Sequence, residues 1–367
     1  MERAKKIAVL GGGNGAHAMA ADLTLKGFEV RICEAPEFES TFRTTLEQQG
    51  IQLIDAWGEE KCVRISRATT DFGEAIEGAN YIMLAIPAMG HERFFNGIMP
   101  YLEDGQTIVS WPGNYSALRF ATMLRERGFQ KKVTFGEGHT LPWGCRMEEP
   151  GTVRIFVDAW KLLVAALPAS ETGRVLGDLR SMYPVEAGEN VMATSVNNLN
   201  PIVHPIGCVL NAGWIDTLGK DFYFYGHGTT LSVARGIRAV YEEVKGVAEA
   251  MDVKMLEYPE EAFWSKSTIM SYYFKAPFDK EGLVARISGP SSMKARYVTE
   301  DVPYGLVPVA LLARQLGVAT PNINAAIDIT SVVNQTNYWE KGRSLEGLGI
   351  AGLDRGELKR ILEHGFE

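Results

Sequence analysis

A chain of 367 residues is long enough for two domains and a large core, and 46 % hydrophobic with 22 % charged residues is ordinary globular composition. A formal charge of −8 argues against a nucleic-acid partner, whose footprint would be basic. No apolar run is long enough to cross a bilayer.

The basic N-terminus leads into Ile7–Leu10 and then directly into glycines, which is too short an apolar stretch for a signal peptide, so a cytoplasmic protein is expected. Cys33, Cys62, Cys145 and Cys208 are scattered without metal-ligand spacing. They are expected to be buried thiols in a reducing compartment, and no metal site is expected.

Ile7–Leu10 reads as a buried strand and Ala18–Leu23 as a helix, with Gly11-Gly12-Gly13-Asn14-Gly15-Ala16-His17 between them. Strand, glycine turn and helix in this order are the context of a dinucleotide site. Gly11 permits the tight turn, Gly13 lets backbone N–H groups approach a pyrophosphate, and Ala16 lets helix pack on strand. Asn14 and Gly15 belong to the same turn, and the helix N-terminus presents unpaired donors to phosphate. Gly27 ends the helix and Phe28–Cys33 reads as the next strand, closing on Glu34. An acidic residue roughly 20 positions beyond the turn accepts from the adenosine ribose. Glu34 therefore favours NAD, while Arg31 and Arg43 leave NADP open.

A helix is expected over Phe38–Gln49, buried strands over Tyr81–Ile86 and Thr107–Ser110, and an amphipathic helix over Ala117–Arg127. Shorter strands follow around Val133–Phe135, Thr152–Val157 and Lys161–Ala166. This alternation predicts a Rossmann-type, doubly wound parallel sheet with an added antiparallel edge. Pro87 and Asn114 both follow strand ends, where ligands bind in such sheets.

The character changes between Pro184 and Asn190. Helices are predicted over Val191–Leu218, Thr229–Met251, Leu306–Leu316 and Thr320–Asn337, with Thr320 as N-cap before Pro321. Asp354 and Glu357 form a capping-box pair before a last helix. The expected organisation is a dinucleotide-binding domain over 1–187 and an all-α domain over 188–367.

If Ser195–Ile206 is helical, Asn197, Asn200, His204 and Asn211 fall at offsets of −7, −4, 0 and +7 and form a polar stripe on an apolar helix. Such a stripe lines a cleft or satisfies a buried network. His204 is then either a hydrogen-bonded core residue or a general acid/base. Pro205 should distort the helix beside it. A second polar cluster, Arg296–Pro303, is either a solvated loop or a site in which Asp301 orients His204 and Arg296 grips a carboxylate.

Four segments in this order carry a resemblance: Gly11–His17, Thr140-Leu141-Pro142-Trp143-Gly144-Cys145-Arg146, Asn200-Pro201-Ile202-Val203-His204-Pro205, and Arg296 through Asp301 to Pro308. Together they span nearly the whole chain, and it resembles the opine dehydrogenase family. The resemblance implies NAD(P)H-dependent condensation of an L-amino acid with a pyruvate-like 2-oxo acid, the imine being reduced to a secondary amine in a cleft shared by both domains. His204 matches the family's acid/base, Asp301 its partner, and Arg296 the arginine that holds the oxo-acid carboxylate. Asn114 matches a polar residue near that carboxylate, and Thr140 borders the amino-acid side. His139 stands where an arginine-using member carries an acidic residue, so arginine is a less expected amine. A homodimer is compatible with the sequence. The alternative is a 2-hydroxy-acid, ketopantoate or glycerol-phosphate dehydrogenase, but such enzymes rely on a lysine and none lies between Lys161 and Lys220. A nucleotide-sensing protein with a silent site is the non-enzymatic alternative.

Overall fold

The computed structural model describes residues 5–264, 274–275 and 289–366. The chain forms two compact units, one over Met1–Val191 with Glu363–Phe366, the other over Met192–Leu362.

The first unit opens with strand β1 (Lys6–Leu10), helix α1 (Asn14–Leu25), β2 (Glu29–Cys33) and α2 (Glu39–Gln48). Then come a hairpin of β3 (Gly50–Ile54) and β4 (Glu60–Arg64), β5 (Arg67–Thr69), α3 (Phe72–Ile76), β6 (Tyr81–Leu84) and α4 (His91–Ile98). It continues through β7 (Thr107–Ser110), α5 (Ser116–Glu126), β8 (Thr134–Gly138), β9 (Trp143–Glu149), β10 (Thr152–Ala159), β11 (Leu162–Leu167), α6 (Thr172–Leu179) and β12 (Val185–Ala187).

The main sheet has the order β12-β11-β8-β7-β6-β1-β2-β5. Its strands from β5 to β8 are parallel, and β11 joins β8 antiparallel with β12 parallel to it. Their apolar runs are buried on both faces, as a sheet covered by helices requires. The Rossmann-type sheet and its antiparallel edge are as the sequence predicts.

A second sheet was not. β3 pairs antiparallel with β4 and parallel with β10, which pairs antiparallel with β9. The Thr152–Val157 strand therefore belongs here, not to the main sheet. Helix α1 packs against strands of both sheets, so its residues from Gly15 to Ala21 are all buried. Its alanines suit this sandwiched position, since a helix covered all round carries no polar face. Cys62, on β4, is exposed, against the expectation of burial, while Cys33, Cys145 and Cys208 are buried.

Among its described residues the second unit is helical, apart from the two-residue strand Phe274–Lys275. α7 (Val191–Val196) leads in from the first unit to α8 (Asn200–Leu210), α9 (Ala212–Leu218), α10 (Leu231–Ala250), α11 (Glu261–Trp264), α12 (Arg296–Thr299), α13 (Val307–Leu316), α14 (Pro321–Asn334), α15 (Tyr338–Lys341) and α16 (Arg355–His364). Two π-helical turns, Phe224–Gly228 and Val302–Leu306, lie between them.

The single helix expected over Val191–Leu218 is three. Asn198 accepts from the Asn200 N–H through Oδ1 at 3.1 Å, a side-chain bond that competes with helix continuation. Pro201 then suits the first turn of a new helix. α8 runs unbroken through Pro205, so the expected distortion there does not interrupt it. At α14, Thr320 stands at the N-cap without a side-chain bond to the backbone. The Glu243 carboxylate takes the role instead, accepting from the N–H groups of Asn322 and Ile323 at 2.8 and 2.9 Å. The capping box at α16 forms as expected, Asp354 and Glu357 each accepting from the other's N–H at 2.9 Å.

Candidate active site

In the first unit, adjacent parallel strands β1, β6 and β7 end on the same edge of the sheet. Gly11, Pro87 and Asn114 follow those ends, beside the point where the strand order reverses. Gly11 has φ +117°, and a Cβ on it would lie 2.5 Å from Ile86 Cγ2. Gly13 is the N-cap of α1, with open space around it and no side chain capping the helix. Ala16 is wholly buried. An uncapped helix N-terminus behind an open glycine fits a dinucleotide pyrophosphate.

Two residues of this turn have structural partners. Asn14 accepts from the Met147 N–H at 2.9 Å, tying the turn to β9. The Glu34 carboxylate, expected to receive ribose hydroxyls, accepts from the N–H groups of Gly12 and Ala35 at 2.8 and 2.7 Å. Burial raises its pKa, against the lowering effect of those two bonds and of Arg93. Asn114 is buried in a left-handed conformation, φ 49°, followed by Tyr115 at φ 65°. Thr140 is half-buried after β8. His139 beside it is 1 % exposed. Its Nδ1 accepts from the Leu163 N–H at 3.1 Å, bracing β8 against β11.

In the second unit, His204 lies on α8 and Asp301 directly before the Val302–Leu306 turn. A Cβ on Gly305 would come within 2.2 Å of Pro201 Cγ, so only glycine lets that turn close on the start of α8. A Cβ on Gly207 would meet the Phe224 ring at 2.4 Å, so only glycine lets the other π-turn reach the next turn of the helix. Asn211 fastens that contact, donating through Nδ2 to the carbonyls of Gly207 and Gly228 at 2.8 and 3.0 Å. Asn197 does comparable work away from His204: it donates to Ala193 O and accepts from Leu256 N–H, both at 2.8 Å. The polar stripe is therefore not continuous, and its two outer asparagines are backbone brackets.

His204 is held on four sides. Asp301 Oδ2 lies 2.7 Å from Nδ1 and the Tyr225 hydroxyl 3.0 Å from Nε2. Tyr297 stacks on the imidazole at 3.8 Å with 12° between planes, and Phe224 meets it edge-on at 5.7 Å. A carboxylate accepts and does not donate, so Nδ1 carries a proton toward Asp301, and Nε2 faces the Tyr225 hydroxyl. Both His204 and Asp301 are 6 % exposed. Arg296, one residue before Tyr297, lies 3.4 Å from Glu300 with more than half its side chain exposed.

Sequence reasoning gave no role to Tyr225 or Tyr297. Tyr297 lay within the Arg296–Pro303 cluster, and Tyr225 in the aromatic run Phe222–Tyr225 ahead of Gly226 and Gly228. Among the described residues, no group of three or more His, Cys, Asp or Glu is placed to hold a metal ion. Nor is any helix among them long and apolar enough to cross a membrane.

Residues 187–334 match the family model of the NAD/NADP octopine/nopaline dehydrogenase α-helical domain, and residues 6–112 that of the coenzyme F420-dependent NADP oxidoreductases. An opine dehydrogenase of Arthrobacter sp. (strain 1C) is 34 % identical over 99 % of this chain and 100 % of its own. The chain belongs to the opine dehydrogenase family. As an opine dehydrogenase-family protein it is an NAD(P)-dependent oxidoreductase acting on the CH–NH group of its donor, which sets aside the hydroxy-acid dehydrogenases and the silent nucleotide sensor. Two solved structures of octopine dehydrogenase, one with NADH and L-arginine and one with NADH and pyruvate, share the fold. Each has a TM-score of 0.72 over 99 % of this chain and 98 % of its own, at 23 % and 22 % identity.

Proposed function

We propose that this enzyme joins an L-amino acid to a pyruvate-like 2-oxo acid and reduces the resulting imine to an N-(carboxyalkyl) amino acid, with NADH as reductant and NADPH as an alternative. The observation that carries the reading is the buried imidazole of His204, with Nδ1 fixed by Asp301 and Nε2 turned to a hydroxyl. In this reading the bound nicotinamide supplies hydride to the imine carbon. His204 exchanges the proton on the substrate nitrogen, and Asp301 holds its tautomer and stabilises the imidazolium. Arg296 orients the oxo-acid carboxylate, with Asn114 near the same group and Thr140 on the amino-acid side. Gly11, Gly13, Asn14, Gly15, Ala16 and Pro87 line the cofactor, and Glu34 turns to its ribose. The boundary near residue 188 separates cofactor from acid/base machinery. Four free thiols among the described residues suit a reducing cytoplasm.

Positioned acid/base groups contribute roughly 100- to 10,000-fold. His204→Ala is expected to lose turnover by that factor while NADH still binds in a fluorescence titration; near-normal turnover overturns the assignment. NADH consumption across a matrix of amino acids and 2-oxo acids, with product masses, identifies the substrate pair.

A further inference from the structure

We propose that Tyr225 is a positioning residue for the acid/base step, its hydroxyl being the group from which His204 Nε2 regains its proton. The inference rests on the reading of His204 given above. The hydroxyl stands 3.0 Å from Nε2, within hydrogen-bond distance for a direct proton transfer. A phenol hydroxyl both donates and accepts. It can therefore donate to neutral Nε2 and, after rotating, accept from the imidazolium, which no purely accepting or donating side chain does. Burial adds a second argument. His204 is 6 % exposed, whereas Tyr225 is half-buried and precedes exposed Gly226 and His227. Tyr225 thus spans the step from the enclosed nitrogen toward the surface of its own unit. Its turn is braced from beneath by Phe224 against Gly207 and by Asn211 on Gly228, which sets the hydroxyl in place.

The balance is simple. Amine, 2-oxo acid, NADH and one proton give secondary amine, NAD and water. Two electrons reach the imine carbon as hydride, and the nitrogen takes the proton from Nε2–H. Once product has left, the Tyr225 O–H proton moves to Nε2 while its oxygen takes a proton from a solvent acid. One proton enters per turnover and the tyrosine ends unchanged.

Tyr225→Phe tests this, because it removes the hydroxyl and keeps the ring. The variant should keep the thermal midpoint and NADH affinity of the parent, with KM for both substrates falling in step with kcat so that kcat/KM stays within about threefold. In dilute buffer kcat should fall about 10- to 100-fold and the isotope effect with 4-deuterated NADH should shrink, as hydride transfer ceases to limit. Concentrated imidazole buffer should restore kcat in the variant and leave the parent unchanged. Unchanged kcat, or a loss that no buffer restores, overturns the relay. If His204→Ala is inactive while Tyr225→Phe is normal, only the relay falls; if His204→Ala turns over normally, the underlying reading falls with it.

Discussion

Arg296 is adjacent in sequence to the ring that stacks on His204, yet its guanidinium faces Glu300 at 3.4 Å. Arg296 is more than half exposed while Glu300 is buried, so a substrate carboxylate can reach the guanidinium from its solvent side without displacing Glu300. The forked geometry of arginine then offers two parallel bonds to the incoming group. Arg296→Ala should raise KM for the 2-oxo acid by about tenfold or more, equivalent to at least about 1.4 kcal/mol, with KM for the amine unchanged. Steady-state kinetics with each substrate varied in turn checks this, and an unchanged oxo-acid KM counts against the role. At this scale the residue types were partly legible. A lone histidine amid asparagines and an acidic-basic cluster suggested the pair, which meets across 97 residues of chain. Tyr225 and Tyr297 were not legible, because an aromatic among aromatics looks like core until its hydroxyl or ring plane is seen against a partner.

Among the elements, long apolar runs were legible because buried parallel strands advertise themselves by composition. What local pattern did not reveal was partnership. Nothing in Gly50–Arg64 says that its hairpin forms a separate sheet with β10, nor that this sheet covers the far side of α1. The start of α14 makes the same point energetically. Thr320-Pro321 looks like a self-sufficient helix start, but the cap arrives from Glu243 on α10, whose carboxylate accepts from two successive N–H groups and from Asn322 Nδ2 at 2.6 Å. A negative charge there also complements the helix dipole. Glu243→Ala should lower stability by about 1–2 kcal/mol, within the range of lost caps. Glu243→Gln, which keeps an acceptor, should lose less than half of that. Chemical denaturation of the two variants measures the difference, and a change within error for Glu243→Ala removes the carboxylate as the cap.

For the molecule as a whole, two buried histidines couple the folding of the nucleotide-binding unit to pH. His17 is 1 % exposed, with Nδ1 at 3.2 Å from the Gly13 carbonyl and Nε2 at 2.8 Å from Thr45 Oγ1. The carbonyl can only accept, so Nδ1 donates and Nε2 accepts from the threonine, which is the neutral ring. Burial lowers its pKa from 6.5 to about 4, and that of His139 from 6.5 to about 3. As pH falls below 6.5 the unfolded chain takes up protons at both positions, while the folded chain does not until near 4 and 3. The unfolded state binds more protons in that window, so stability falls with pH, each histidine removing about 2 kcal/mol between about pH 7.5 and pH 5. The two act alike at different places: His17 ties α1 to α2, and His139 ties β8 to β11. His17→Gln cannot be charged in either state. Whatever its effect at neutral pH, it should reduce the stability difference between the two pH values by about 2 kcal/mol, read from urea unfolding of the nucleotide-binding unit. A pH dependence identical to that of the parent would mean that His17 is protonated in the folded enzyme as readily as in the unfolded chain, contradicting its enclosure between the glycine turn and Thr45.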